Sequence, residues 1–403
     1  MSKKAVLNLI LVFFMVLIFE VAGFLSWYVD EDMYDNREPV LAAVEKMTPA
    51  EKERKWLDPV LGWKSFGPRE TDDCNCQGTS IIYTFDDHGA RTYSGYDGDS
   101  AEIIVVGDSY SHGYEVIAED MYAARLAGLL KVHVANHAYG GYGPVQAFLS
   151  LKQNVRHYPH AKIAILAIMY ENIFRMVNSY RPILHEDNSK YAMKPFMKQS
   201  EIEPHPGLEA FKDVDTFKWH VNLVFDNDFW ARPAHRFPFS VSFIRAMTTD
   251  FFYFKKVPRK LRKFGLSEFR LAYGSQTFSQ ELIPLLDLYA ELAKQQNLVP
   301  VVLFIPRDKY DVQSPSRFVV ENRERLSKDL LIGDVGTADI DWEKYNLLDT
   351  KEADNIRFCH PSPYGHQKIA EYIVDLLETK KIKLQKARNS YFIISGHGRR
   401  IDR

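Results

Sequence analysis

The chain has 403 residues, 46% hydrophobic and 26% charged. This balance belongs to a folded protein and excludes a disordered, collagen-like or many-spanning membrane chain. Its 51 basic and 53 acidic residues leave a net charge of −2, which offers no basic surface for nucleic acid, so no nucleic-acid partner is expected. Three cysteines are too few for a disulfide-built scaffold.

Residues 1–30 read as a transmembrane anchor. Ala5 to Val29 is apolar apart from Asn8, Glu20 and Ser26, and about 25 residues suffice to cross a hydrocarbon core. Lys3 and Lys4 precede the run and Asp30, Glu31 and Asp32 follow it, so the N-terminus is expected on the cytoplasmic side. A cleaved signal peptide is the competing reading, but the small-x-small cleavage signal is weak, since Val21-Ala22-Gly23 runs into Phe24 and Leu25. Both readings place the rest of the chain outside the cytoplasm. Glu20 is expected near an interface or with a partner.

Residues 31–64 read as a helical stalk and irregular lead-in. Ile81 to Thr92, with the turn signal Asp86-Asp87-His88-Gly89, reads as a hairpin or edge segment. Short apolar runs at 102–107, 132–135, 162–169 and 298–305 read as buried parallel strands. Helical spacing at 121–130, 144–155, 278–296 and 366–377 separates or follows them, so the class is α/β, a parallel sheet covered on both faces. One domain over 65–385 is expected, with an insertion at about 177–276 and a basic tail at 386–403. Ile356 to Gly365 reads as a loop.

Four segments hold candidate chemistry, where open parallel sheets bind ligands. Gly107-Asp108-Ser109 places a serine between a strand and a helix, its N–H suited to an anion; taken alone it is an ordinary capped turn. Asn136-His137-Ala138-Tyr139-Gly140-Gly141-Tyr142-Gly143 lets backbone approach a substrate, or simply makes a tight turn before Pro144. Asn172 ends the third strand block, as an amide donor or a turn residue. Cys359-His360-Pro361-Ser362-Pro363 opens the last helix, with His360 a candidate general base and Ser362 a cap; His366 falls inside the helix, where packing is expected.

The order of these four blocks resembles the SGNH (GDSL-type) hydrolase family, over about residues 100–175 and 295–380. The resemblance implies a flavodoxin-like three-layer α/β/α sandwich, here with the N-terminal transmembrane helix added. It implies Ser109 as nucleophile and His360 as its base. The oxyanion hole would be formed by the N–H groups of Ser109 and Gly141 with the Asn172 side chain. No metal and no cofactor is implied. Relatives carry an aspartate three residues before the histidine, but Arg357 stands there, and Asp354 lies six before it. Either an irregular loop brings Asp354 round, or a backbone carbonyl orients His360 in a Ser-His dyad, or the site is inactive. Asn172 is followed by Ile173, where Asp is common in relatives.

Cys76 or Cys74 pairing with Cys359 would tie the lead-in to the catalytic loop; unpaired thiols are the alternative. The stretch Phe251 to Lys263 reads as a surface helix with a solvated basic face, or as a contact with anionic headgroups. The expectation is a single-pass inner-membrane protein, its main domain periplasmic or otherwise extracytoplasmic, hydrolysing an ester or an acylated glycan. The alternatives are an O-acyltransferase for cell-surface polysaccharide and an inactive binding or assembly subunit.

Overall fold

The computed structural model describes residues 2–46, 57–64, 69–184, 192–264, 266–309, 314–349, 357–380 and 382. The chain divides into two compact units. The first joins Met1–Lys64, Glu171–Leu286 and Ser314–Arg325; the second joins Ser65–Tyr170, Asp287–Gln313 and Leu326–Arg403. In chain order the main elements are α1 (Lys3–Val29), β1 (Ala101–Val106), α2 (Tyr122–Leu130), β2 (His133–Asn136), α3 (Pro144–Asn154) and β3 (Ile163–Met169). They continue with α4 (Phe239–Met247), α5 (Gln276–Gln295), β4 (Val299–Ile305), β5 (Leu331–Asp334) and α6 (Pro363–Thr379).

In the second unit the five strands form a parallel sheet in the order β5-β4-β3-β1-β2. Read from the other edge this is 2-1-3-4-5, the flavodoxin-like order. Every residue of β1 and β3 is buried, because a parallel sheet covered on both faces needs apolar side chains at successive positions. Ile103, Val105, Ile165 and Leu303 share one core with Leu126 of α2 and Ile369 and Ile373 of α6. Each such side chain contributes about 1.5–3 kcal/mol. Helix α3 packs on β1 and β3, and the Tyr289 hydroxyl of α5 lies 2.7 Å from the Ala164 carbonyl. The strands expected from the sequence are present within a residue or two. Helix α6 starts at Pro363 rather than at 366, because the Ser362 hydroxyl caps it by accepting the Gly365 N–H at 3.2 Å.

Two short ribbons flank the sheet. Arg69–Cys74 pairs antiparallel with Ser80–Phe85, a pairing not expected from the sequence, while the expected turn at 86–89 follows it, the Gly89 N–H donating to the Asp86 carbonyl at 3.0 Å and Phe85 bridging to Arg91. Arg357–Pro361 pairs antiparallel with Asn346–Asp349, so His360 sits on a strand where a loop was expected. Backbone pairing fixes this segment, as does Gly365, where an added Cβ would lie 2.3 Å from the Tyr345 carbonyl oxygen.

In the first unit, α1 is a 27-residue apolar helix about 40 Å long, a candidate membrane span or signal sequence. The stalk region contains the helix Arg37–Glu45, and residues 47–56 lie outside the described residues. The expected insertion at about 177–276 holds one short strand pair, Phe196–Lys198 with Glu201–Glu203, and with the residues flanking it builds an aromatic core. Phe174 meets Trp230 at 5.4 Å and Phe278 at 5.7 Å, and the Trp230 indole N–H donates to the Phe174 carbonyl at 3.1 Å. The expected solvated basic face holds at Arg259, Lys260 and Arg262, which are exposed, but not at Lys255 and Lys256. Both are buried, Lys255 on Glu268 at 2.8 Å and Lys256 between Asp30 at 2.5 Å and Asp32 at 2.9 Å. A cation leaves water only where carboxylates replace it, and these three acids lie close by. The basic tail lies outside the described residues.

Candidate active site

Ser109 is the first residue of a short helix, Ser109–His112, three residues beyond the end of β1. Asp108 caps this helix, accepting the Tyr110 N–H at 2.8 Å. Its second oxygen accepts the Met169 N–H at 3.1 Å, which ties the serine turn to the end of β3. Gly107 is required by the close packing here: an added Cβ would lie 2.6 Å from Ser111 Oγ.

His360 Nε2 lies 2.9 Å from Ser109 Oγ, and His360 Nδ1 lies 2.9 Å from Glu115 Oε2. The same carboxylate oxygen accepts the His360 backbone N–H at 3.0 Å. Serine, imidazole and carboxylate therefore stand in one line, with a Glu in the orienting position. Glu115 is almost wholly buried. Burial alone raises its pKa, but the hydrogen bonds and charge of His360 outweigh that and hold it below the ordinary carboxylate value. An ionised acceptor at Nδ1 fixes the proton there and leaves Nε2 bare toward the serine.

Glu115 is the residue that sequence reasoning missed. It reaches the histidine because the chain reverses at Gly113, φ 76°, and Glu115 itself takes the left-handed region at φ 69°. Such a backbone in a non-glycine residue is costly and is held by its surroundings. The holder is Arg91, a buried guanidinium that donates to the carbonyls of His112 at 2.8 Å, Gly113 at 2.5 Å and Val116 at 2.7 Å. Tyr83 stacks under it, its ring centroid 4.5 Å away, and its hydroxyl accepts the Glu115 N–H at 2.9 Å. The available signal was a carboxylate six residues after the serine, just past a glycine able to turn the chain back. Asp354 lies outside the described residues, and Arg357 opens the His360 strand.

A disulfide joins Cys76 to Cys359, the residue before His360. The Glu115 carboxylate lies within 4.8 Å of both sulfurs and is hydrogen-bonded to the Cys76 backbone. The bond thus closes over the far side of the triad. Of the two arrangements open from the sequence, the lead-in segment tied to the histidine segment is the one present.

Gly141 adopts φ 80° in the loop after β2. That loop is fastened to the serine turn by the Tyr139 N–H on the Gly107 carbonyl at 3.1 Å and by the Asn136 amide on the Ser111 carbonyl at 2.9 Å. Asn172 is buried and opens the helix Asn172–Met176 in the first unit. His366 is wholly buried in α6 and accepts the Tyr122 N–H at Nδ1, 3.2 Å away, as a packing residue. His112 is likewise buried, stacked on Tyr83 and Phe85, and desolvation lowers its pKa to about 3.

No protein-family model and no curated protein matches the sequence. Among solved structures the chain is similar to TesA, at 11% identity and a TM-score of 0.33, over 69% of this chain and 98% of that one. It is similar to a member of the lipolytic G-D-S-L family from Veillonella parvula, at 10% identity and a TM-score of 0.30, over 69% of this chain and 99% of that one. It is also similar to the acetyl xylan esterase Est2A from Butyrivibrio proteoclasticus, at 12% identity and a TM-score of 0.28, over 72% and 66% of the two chains.

Proposed function

We propose that this protein is a membrane-anchored, extracytoplasmic serine ester hydrolase acting on an O-acylated carbohydrate or another small ester. The observation that carries the reading is the line from Ser109 Oγ through His360 to Glu115. Ser109 Oγ attacks the acyl carbonyl carbon and passes its proton to His360 Nε2. The tetrahedral intermediate collapses, the ester bond breaks, and Nε2 returns the proton to the leaving alkoxide. Water, deprotonated by the same nitrogen, then attacks the acyl-serine; the acyl–Oγ bond breaks, Ser109 Oγ takes the proton back from Nε2, and the acid leaves. Glu115 steadies the imidazolium in both halves. The developing oxyanion is received by the N–H groups of Ser109 and Gly141, each worth about 3–4 kcal/mol of barrier. α1 supplies the anchor, and the Cys76–Cys359 bond suits an oxidising compartment.

The test follows p-nitrophenyl acetate hydrolysis by the full-length protein beside Ser109→Ala. Turnover by the wild type that falls to background in the variant is expected. Equal rates for the two proteins would overturn the reading.

A further inference from the structure

Helix α4 has its side chains arranged in the reverse of a water-soluble helix. Its buried residues are the small Ser242 and Ala246, while Val241, Ile244 and Met247, three residues apart on one face, are 41%, 55% and 38% exposed. Phe237, just before it, is 73% exposed. The start of α4 lies against α1, whose only buried residues are Gly23 and Ser26, and Ala246 packs with Met33 and Tyr34 just beyond the end of α1. An added Cβ at Gly23 would fall 2.4 Å from the Phe239 carbonyl carbon, so the two backbones touch. Small residues between helices and large apolar ones outside are the packing of helices in lipid.

Glu20 explains how α4 is held there. Its carboxylate, within the apolar run of α1, accepts the Phe239 N–H at 2.7 Å, the Ser240 N–H at 3.4 Å and the Ser240 hydroxyl. These are the donors left unpaired at the start of α4. His235 adds a bond from Nε2 to the Gly23 carbonyl at 3.1 Å, and the Phe24 and Phe239 rings meet at 5.2 Å. Glu20 lies nine residues before the end of α1, about 14 Å along the axis.

We propose that α4 is a second membrane element, a short helix embedded in the lipid leaflet beside α1 with its Val241, Ile244 and Met247 face in the acyl chains. The bilayer is the occupant because the exposed apolar face continues that of α1, whose residues from Val6 to Leu17 are 43–65% exposed. The charged Arg236 and Arg245 are exposed as well, and stems of that length let a guanidinium snorkel to headgroups. The Glu20 interaction removes a polar group from lipid and fixes α4 at that depth. The inference rests on the reading of α1 as a retained span.

The test uses full-length protein in phosphatidylethanolamine–phosphatidylglycerol vesicles, in a Cys74→Ser background without reductant. An environment-sensitive dye is placed singly at Ile244→Cys, at Leu11→Cys in α1, and at Val320→Cys, a surface site that is 76% exposed. Quenching by spin-labelled lipid at 244 several-fold above that at 320, and close to that at 11, is expected. Adding Gly23→Leu should lower the quenching at 244 and leave it unchanged at 11. Strong quenching at 11 with iodide-accessible dye at 244 would overturn the inference and keep the anchor. Protection of 244 from both lipid and iodide would mean a protein partner and would also overturn it. Aqueous behaviour at 11 and 244 alike would remove the anchor and the inference together.

Discussion

Glu115 carries the most consequence of any single residue after Ser109 and His360. Glu115→Gln keeps the shape but offers an amide to Nδ1, so the tautomer that leaves Nε2 bare loses its support. A fall in kcat on the order of 10³-fold or more is expected, with KM little changed. Asp354→Asn should keep near wild-type turnover, and steady-state kinetics on the pair decides which carboxylate serves the histidine. His112 contributes to acid sensitivity, in the same direction as the buried His205 and His366. Its folded pKa, about 3, lies below the ordinary histidine value, so the unfolded chain binds the extra proton. Its contribution is present above about pH 6.5 and is lost as pH falls toward 3. His112→Gln should flatten the decline in melting temperature between pH 6.5 and 4.5 relative to wild type.

At the scale of elements, the parts legible in the sequence were those whose burial shows in local composition. β3 and β4 are unbroken apolar runs, β1 is one apart from Glu102, which pairs with Lys162, and Ser109 and His360 stand in the blocks that the pattern picked out. β5 is only Leu331–Asp334, too short to announce itself. The His360 ribbon reads Arg-Phe-Cys-His-Pro, with no alternation, and becomes a strand through its pairing with Asn346–Asp349. Glu115 was hidden for the same reason: its place depends on a left-handed turn held by Arg91, 24 residues earlier in the chain. That turn is itself testable. Gly113→Ala would put a Cβ 2.6 Å from Met121 Cβ and 2.9 Å from the Arg91 guanidinium, on a backbone that disfavours side chains. A loss of about 2 kcal/mol in urea unfolding and a marked drop in esterase rate are expected.

For the molecule as a whole, the Cys76–Cys359 bond joins positions 283 residues apart. In the chain-entropy view a loop of this size is worth about 5–6 kcal/mol at most, less whatever the unfolded chain retains. Cys76→Ser should therefore lower the melting temperature, and it should lower kcat as well, since Cys359 adjoins the base. Dithiothreitol should reproduce both effects in the wild type and add nothing to the variant. A variant with unaltered kcat would show that strand pairing alone holds His360.

The distance along the chain between Ser109 and His360 also sets when the site comes into being. A further 251 residues must be synthesised after Ser109 before the second of the pair exists at all. A nascent or prematurely terminated chain carries a serine without its base, an unreactive alcohol. On the proposed mechanism the chemistry therefore waits on the synthesis of His360, and a truncated product ending before it would lack the base.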